Sequence, residues 1–308
     1  MKKWAPLLWL AMIGAAGWVL SQRLRAVDFA DVATQLRALP GSAMLAGAAC
    51  SAACYLLVGI YEGVAVRIAT GRRAVLQPLA VALIANPIGR AVGAAMVSSG
   101  ALRYRMYSTL GMSARQIGAV ILLIMMPYLI GVGWLIDLSL LFNAEQAGRA
   151  LRLSTVVVTA LAIVGLVKDI GWLVLVANRS APFTLRGMVI ALPTLGHTLI
   201  QTAFGIAQVS LLSGILYLFM PTELNMSWLP FVAIYCTAFI AGQISNVPAG
   251  LGVLEAALLL MLPHVPPAKL LGATLAYRAV FEVAPLLLAI VLLVTFETLH
   301  PAGAVRRR

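Results

Sequence analysis

Nine charged side chains lie inside apolar stretches of this 308-residue chain: Glu62, Arg67, Arg90, Asp137, Lys168, Asp169, Glu255, Arg278 and Glu282. In lipid each costs at least about 2.5–3.5 kcal/mol at mid-depth unless it is paired or wetted. Arg278 and Glu282 are one helical turn apart, a spacing that predicts an intrahelical ion pair. Arg90 and Glu255 each follow a glycine-bearing break, Asn86-Pro87-Ile88-Gly89-Arg90 and Asn246-Val247-Pro248-Ala249-Gly250-Leu251-Gly252, and have no partner in their own segment. A permanent cation beside the free N–H groups of a half-helix suits a phosphate. Asn86, Arg90, Asn246, Glu255, Arg278 and Glu282 are therefore expected to line one polar cavity that takes a lipid headgroup, with breaks at Pro87, Gly89, Pro248, Gly250 and Gly252. Glu62 and Arg67 either snorkel to the interface or form a secondary polar site. Asp137 is expected to be solvated near a helix end, and adjacent Lys168 and Asp169 to neutralise one another. His197 reads as a buried interhelical hydrogen bond and His264 as a loop residue.

Hydrolytic chemistry finds no support. The chain has no HExxH, GxSxG or P-loop motif and no acidic pair spaced for a metal. Its three cysteines, Cys50, Cys54 and Cys236, form neither a disulfide framework nor a metal spacing. No enzyme activity, cofactor or metal is expected. The surplus of 22 Lys+Arg over 10 Asp+Glu sits in short loops at the ends of apolar runs, which marks the cytoplasmic side of a membrane rather than a nucleic-acid surface.

The elements that position these residues follow from composition. Hydrophobic residues make up 62% of the chain, charged residues 10%, and mean hydropathy is +0.99, values that only a lipid solvent accommodates. A bilayer core near 30 Å needs about 20 apolar residues, and Pro6–Leu20, Ser42–Ala69, Gln116–Phe142, Leu153–Ala177, Met188–Phe219 and Leu270–Phe296 qualify. Trp9, Trp18, Arg23 and Arg25 stand where signal cleavage would need small residues, so the first window reads as a retained anchor. Asp28–Leu39 reads as an amphipathic helix on the outer interface.

Two further windows, 78–100 and 229–262, carry the breaks. If both dip in and return, Lys2, Lys3, Arg72, Arg73, Arg103, Arg105, Arg115, Arg179, Arg186 and Arg306–Arg308 are cytoplasmic. Arg23, Arg25, Arg37, Arg149, Arg152 and Lys269 are then outside. The expectation is an all-α polytopic protein of about six spanning helices plus two opposed re-entrant hairpins, with both termini cytoplasmic. The single membrane domain, 1–308, divides into halves 1–150 and 151–308 related as an inverted repeat. A proline kink in an ordinary span is the plainer alternative for each break.

The stretch Asn86-Pro87-Ile88-Gly89, then Ser99-Gly100-Ala101-Leu102-Arg103-Tyr104-Arg105-Met106-Tyr107-Ser108 and Gly111-Met112-Ser113, resembles the first signature of the lysylphosphatidylglycerol synthase transmembrane, or flippase-like, family. Ser245 through Glu255, then Tyr277-Arg278 and Pro285, resembles the second. Tyr61-Glu62 and Arg67 fit an earlier position of that family. Where the family usually reads Pro-Gly-Gly, this chain has Pro248-Ala249-Gly250. Bifunctional members carry a soluble aminoacyl-transferase domain after the membrane region. This sequence stops at Arg308, so the resemblance implies the stand-alone branch. It further implies translocation or handling of an anionic or aminoacylated phospholipid in the bacterial inner membrane, with Arg103, Tyr104, Arg105 and Tyr107 as a cytoplasmic basic and aromatic group. The partners implied are phospholipid, no nucleic acid, and a homodimer mate or partner enzyme. A membrane subunit or scaffold for an envelope lipid-modifying enzyme is the alternative.

Overall fold

A computed structural model describes residues 29–71, 73–92, 95–151, 153–178, 183–185, 188–190, 194–245 and 247–299. The expected first anchor, the terminal cations and Asn246 lie outside the described residues. In chain order the helices are α1 (Phe29–Ala38), α2 (Gly41–Thr70), α3 (Leu76–Val92), α4 (Ala95–Thr109), α5 (Ala114–Phe142), α6 (Ala144–Leu151) and α7 (Thr155–Asn178). They continue as α8 (Leu195–Phe219), α9 (Trp228–Ile244), α10 (Val253–Met261), α11 (Pro267–Arg278) and α12 (Ala284–Leu299). A two-stranded antiparallel hairpin, β1 (Phe183–Leu185) and β2 (Met188–Ile190), precedes α8. The window expected to span from Met188 is thus helical only from Leu195.

Five of these helical stretches are long and apolar enough to cross a bilayer: α2, α5, α7, α8 and the continuous Pro267–Leu299 rod formed by α11 and α12. Their outward faces are apolar. On α7 alone Val156, Leu161, Val164 and Val167 are more than half exposed, a surface that only lipid satisfies. The chain is a polytopic all-α membrane protein.

Helix ends follow local chemistry. At the start of α5 Ser113 and Gln116 form a capping box, with Ser113 N donating to Gln116 Oε1 at 2.9 Å. The end of α2 is closed by Gly71 at φ 73°, whose N–H reaches Arg67 O at 2.8 Å. The amphipathic α1 forms as expected and packs on α11, with Val32 buried and Gln35 against Gly272.

Two pairs of short helices form the hairpins. In the first, α3 packs along α4 so closely that a Cβ on Gly89 would lie 2.6 Å from Ser99 Cβ. The expected break at Asn86–Arg90 is absent: α3 runs unbroken through Pro87 and Gly89 to Val92. Pro87 removes one N–H from the helix, yet its ring is accommodated and the adjoining Asn86 Nδ2 donates to Ala82 O at 2.8 Å. In the second hairpin α9 and α10 are joined through a break at Ser245–Gly252. There Pro248–Gly250 makes a single 3₁₀ turn, with Ala249, Gly250 and Gly252 at φ 52°, 62° and 78°.

The final rod is interrupted by a π-helical turn, Ala279–Val283. The sequence explains how it is tolerated. Ala284 N–H bonds five residues back to Ala279 O. Continuing that pattern would require an N–H from Pro285, which has none. The carbonyls of Val280 and Phe281 are filled instead from α2, by Ser51 Oγ at 3.1 Å and Tyr55 OH at 3.2 Å.

Candidate functional site

Between the two hairpins lies a partly open cavity of about 670 Å³, within the size range of ligand sites. The walls come from α2 (Leu57, Val58, Tyr61), α5 (Ile121, Ile124, Tyr128), α8 (Phe204, Gln208) and α9 (Phe239, Ile240, Gln243), and are mainly apolar. The first hairpin supplies a polar pole of Asn86, Arg90, Ser99 and Arg103. Both charged residues on the wall are arginines, and no carboxylate lines it.

The two arginines are in different electrostatic states. Arg103 forms a bidentate pair with the fully buried Glu62, Nε to Oε1 and Nη2 to Oε2, both at 2.9 Å. Tyr107 donates to Glu62 at 3.0 Å, and Arg103 Nη2 also reaches Asn86 Oδ1 at 3.1 Å. Among the described residues Arg90 has no direct ion pair, and the carboxylate that acts on it is Glu282 of the final rod. Its guanidinium carbon sits 4.5 Å above the Phe281 ring, on the aromatic cluster of Tyr55, Tyr277 and Phe281, and its buried Nη1 has no hydrogen-bond partner. A cation–π contact stabilises the charge by about 0.5–2 kcal/mol without cancelling it.

Arg278 stands outside the cavity wall and is saturated. Its Nε and Nη2 grip Glu255 at 2.7 and 3.1 Å, and Nη1 bonds Glu282 at 2.7 Å and Ala249 O at 3.0 Å. Nη2 also reaches Gly250 O at 3.4 Å, so all five N–H groups are engaged. Glu255 Oε2 accepts from Gly252 N at 2.9 Å, which ties the carboxylate to the start of α10. Arg278, Glu255 and Glu282 thus come together as anticipated, but as a clamp on the Ala249–Gly250 turn. Arg90 does not join their ion pairs directly, which divides the single cavity read from the sequence into a clamp and a cavity cation beside it.

Other expectations change. Glu62 does not snorkel, because Arg103 neutralises it in place, while Arg67 is exposed at the end of α2. The group Arg103, Tyr104, Arg105, Tyr107 is not a uniform loop surface. It lies on α4, whose period buries Arg103 and Tyr107, leaves Tyr104 53% exposed, and sets Arg105 against Glu297 of α12 with Nε–Oε1 at 2.8 Å. Asp137 is buried beside Lys168 and Asp169 rather than solvated. His197 caps the start of α8 through Thr194, at 3.0 Å, instead of bridging helices. The Glu62–Arg103 pair spans 41 positions; in the sequence Glu62 falls at a helix end and Arg103 in a cytoplasmic basic group, and nothing there signals that the two pair.

Five long apolar helices and two pairs of shorter helices beside a mainly apolar cavity define a polytopic all-α integral membrane protein. No family model matches the chain. It is 32% identical over 226 residues to the uncharacterized protein slr0712 of Synechocystis, across 71% of this chain and 69% of that protein, and belongs to the same family. It is also 24% identical over 298 residues to the inner membrane protein YbhN of Escherichia coli, covering 95% of this chain and 92% of that one.

Proposed function

We propose that this protein is a flippase-like carrier that translocates or handles an anionic phospholipid in a bacterial inner membrane, with the headgroup at Arg90 and the acyl chains against the apolar walls. The observation that carries this reading is the Arg90 guanidinium, its buried Nη1 without a hydrogen-bond partner, at the polar pole of a mainly apolar cavity. A phosphate supplies the missing acceptor for Nη1. Arg103 flanks it as a donor already oriented by Glu62. The inner-membrane location named for YbhN and the resemblance to the lysylphosphatidylglycerol synthase transmembrane family support the same reading.

Reconstitution of the purified protein into vesicles carrying fluorescent phospholipids tests it. Faster leaflet exchange without lipid turnover, selective for anionic headgroups, is the expected result. A new lipid product would instead indicate an enzyme, and neither effect would indicate a scaffold that recruits an envelope enzyme.

A further inference from the structure

A second set of charges lies away from the cavity, between α5 and α7. Lys168 Nζ is 2.9 Å from Asp169 Oδ1 and 3.6 Å from Asp137 Oδ2. Both aspartates are only 8% exposed, and the Oδ2 of each is buried with no hydrogen-bond partner. The surroundings are shaped to hold them. A Cβ on Gly165 of α7 would lie 2.1 Å from Asp137 Oδ1, and one on Gly133 of α5 would lie 3.1 Å from Lys168 Nζ. The bare backbone at these two positions makes room for the two carboxylates between the spans, with the Lys168 side chain 61% exposed at their edge.

Two carboxylates facing one ammonium carry a net charge of −1, which is costly at this depth. Among the described residues no other cation is paired with them from the elements packed on α5 and α7. Arg103 is held by Glu62, Arg105 by Glu297 and Arg149 by Glu145, while Arg67 and Arg115 are exposed at helix ends and His197 is bonded to Thr194. A metal cation would sit against the Lys168 ammonium and would need more oxygen donors than two carboxylates leave open. A proton needs one open carboxylate oxygen, which Asp169 Oδ2 supplies, while Asp137 Oδ2 faces Lys168 at 3.6 Å without a hydrogen bond.

We propose that Asp137, Asp169 and Lys168 form a membrane-embedded proton-binding site, in which the two carboxylates share one proton beside the lysine. The proton is taken from water onto an open carboxylate oxygen, and the triad becomes neutral. The inference stands apart from the lipid reading, because its test needs no transport.

Dicyclohexylcarbodiimide, an apolar reagent, adds whole to a protonated carboxyl group. The acid proton moves to a carbodiimide nitrogen, the carboxylate oxygen bonds the central carbon, and acyl migration leaves a stable acylurea. The full-length protein in detergent is treated across the neutral to alkaline range and mapped by peptide mass. Labelling of Asp137 or Asp169 is expected, falling about tenfold per pH unit on the alkaline side. Asp137→Asn should reduce labelling of Asp169 to background, because a single carboxylate beside Lys168 is a neutral ion pair with no need of a proton. Lys168→Met should carry labelling to higher pH. Absence of label on both aspartates, labelling independent of pH, or undiminished labelling of Asp169 in Asp137→Asn would overturn the assignment. Protection by sodium at fixed pH would make this a sodium site and overturn it equally.

Discussion

Replacing Arg278 by alanine removes the five bonds that pin Glu255, Glu282 and the Ala249–Gly250 turn together. It also leaves Glu255, 7% exposed, with only the Gly252 N–H as partner. In a soluble interior, stripping one partner from a buried pair costs about 3–5 kcal/mol. In a bilayer the denatured helices find substitute partners, and measured polar contacts average about 0.6 kcal/mol with a maximum near 1.7. Because several contacts are lost at once and a charge is left open, we expect a loss of about 2 kcal/mol, roughly 30-fold in the folded fraction. Arg278→Lys, with three donors and no fork, should lose about half of that. Detergent-titrated unfolding in mixed micelles, followed by tryptophan fluorescence, measures both. An Arg278→Ala protein as stable as the parent would refute the clamp and return Arg278 to the list of candidate lipid ligands.

Arg90→Ala, by contrast, forfeits mainly a cation–π contact of about 1 kcal/mol, so anionic-lipid movement should collapse while the fold persists, read by the vesicle assay beside the unfolding curve. Ala249→Gly should stabilise the protein by about 0.5–1 kcal/mol, since φ 52° strains a Cβ more than glycine loses in backbone entropy. Gly205→Ala should destabilise by about 1–3 kcal/mol, because a Cβ there would fall 1.8 Å from Pro127 O, whereas Gly214→Ala, with nothing within 4 Å, serves as the neutral control in the same titration. A reporter fused after Arg308 should be active only in the cytoplasm; a periplasmic signal would rule out the topology drawn from the cation distribution.

What the sequence made visible divides by the range of the interactions. Apolar runs near 20 residues gave the spans, and the i, i+4 spacing gave Arg278–Glu282, because both are local quantities. The second break was legible because Pro248, Gly250 and Gly252, within five residues, oppose a regular helix. The first was misread because Asn86-Pro87 has the same composition as a break. Here α3 stays helical through Pro87 while its Gly89 packs directly on Ser99 of α4. Pairing between distant segments, Glu62 with Arg103 and Asp137 with Lys168, depends on which helices become neighbours, and no periodicity encodes that.

The glycine contact between α5 and α8 has a mechanical consequence. A Cβ built on Gly131 would fall 2.0 Å from the Gly205 backbone, so the two main chains touch where the rods cross. Side chains that interlock elsewhere along a helix pair fix its angle, as teeth fix gears. At this crossing the main chains themselves meet, and beside them Val132 and Leu135 of α5 are buried with Val209 and Leu212 of α8, so the joint is a rivet at Gly131 and Gly205 that holds the two rods. Pro127 and Phe204, immediately beside the rivet, line the cavity. A side chain added at either glycine would wedge the rods apart and move that wall of the cavity with them.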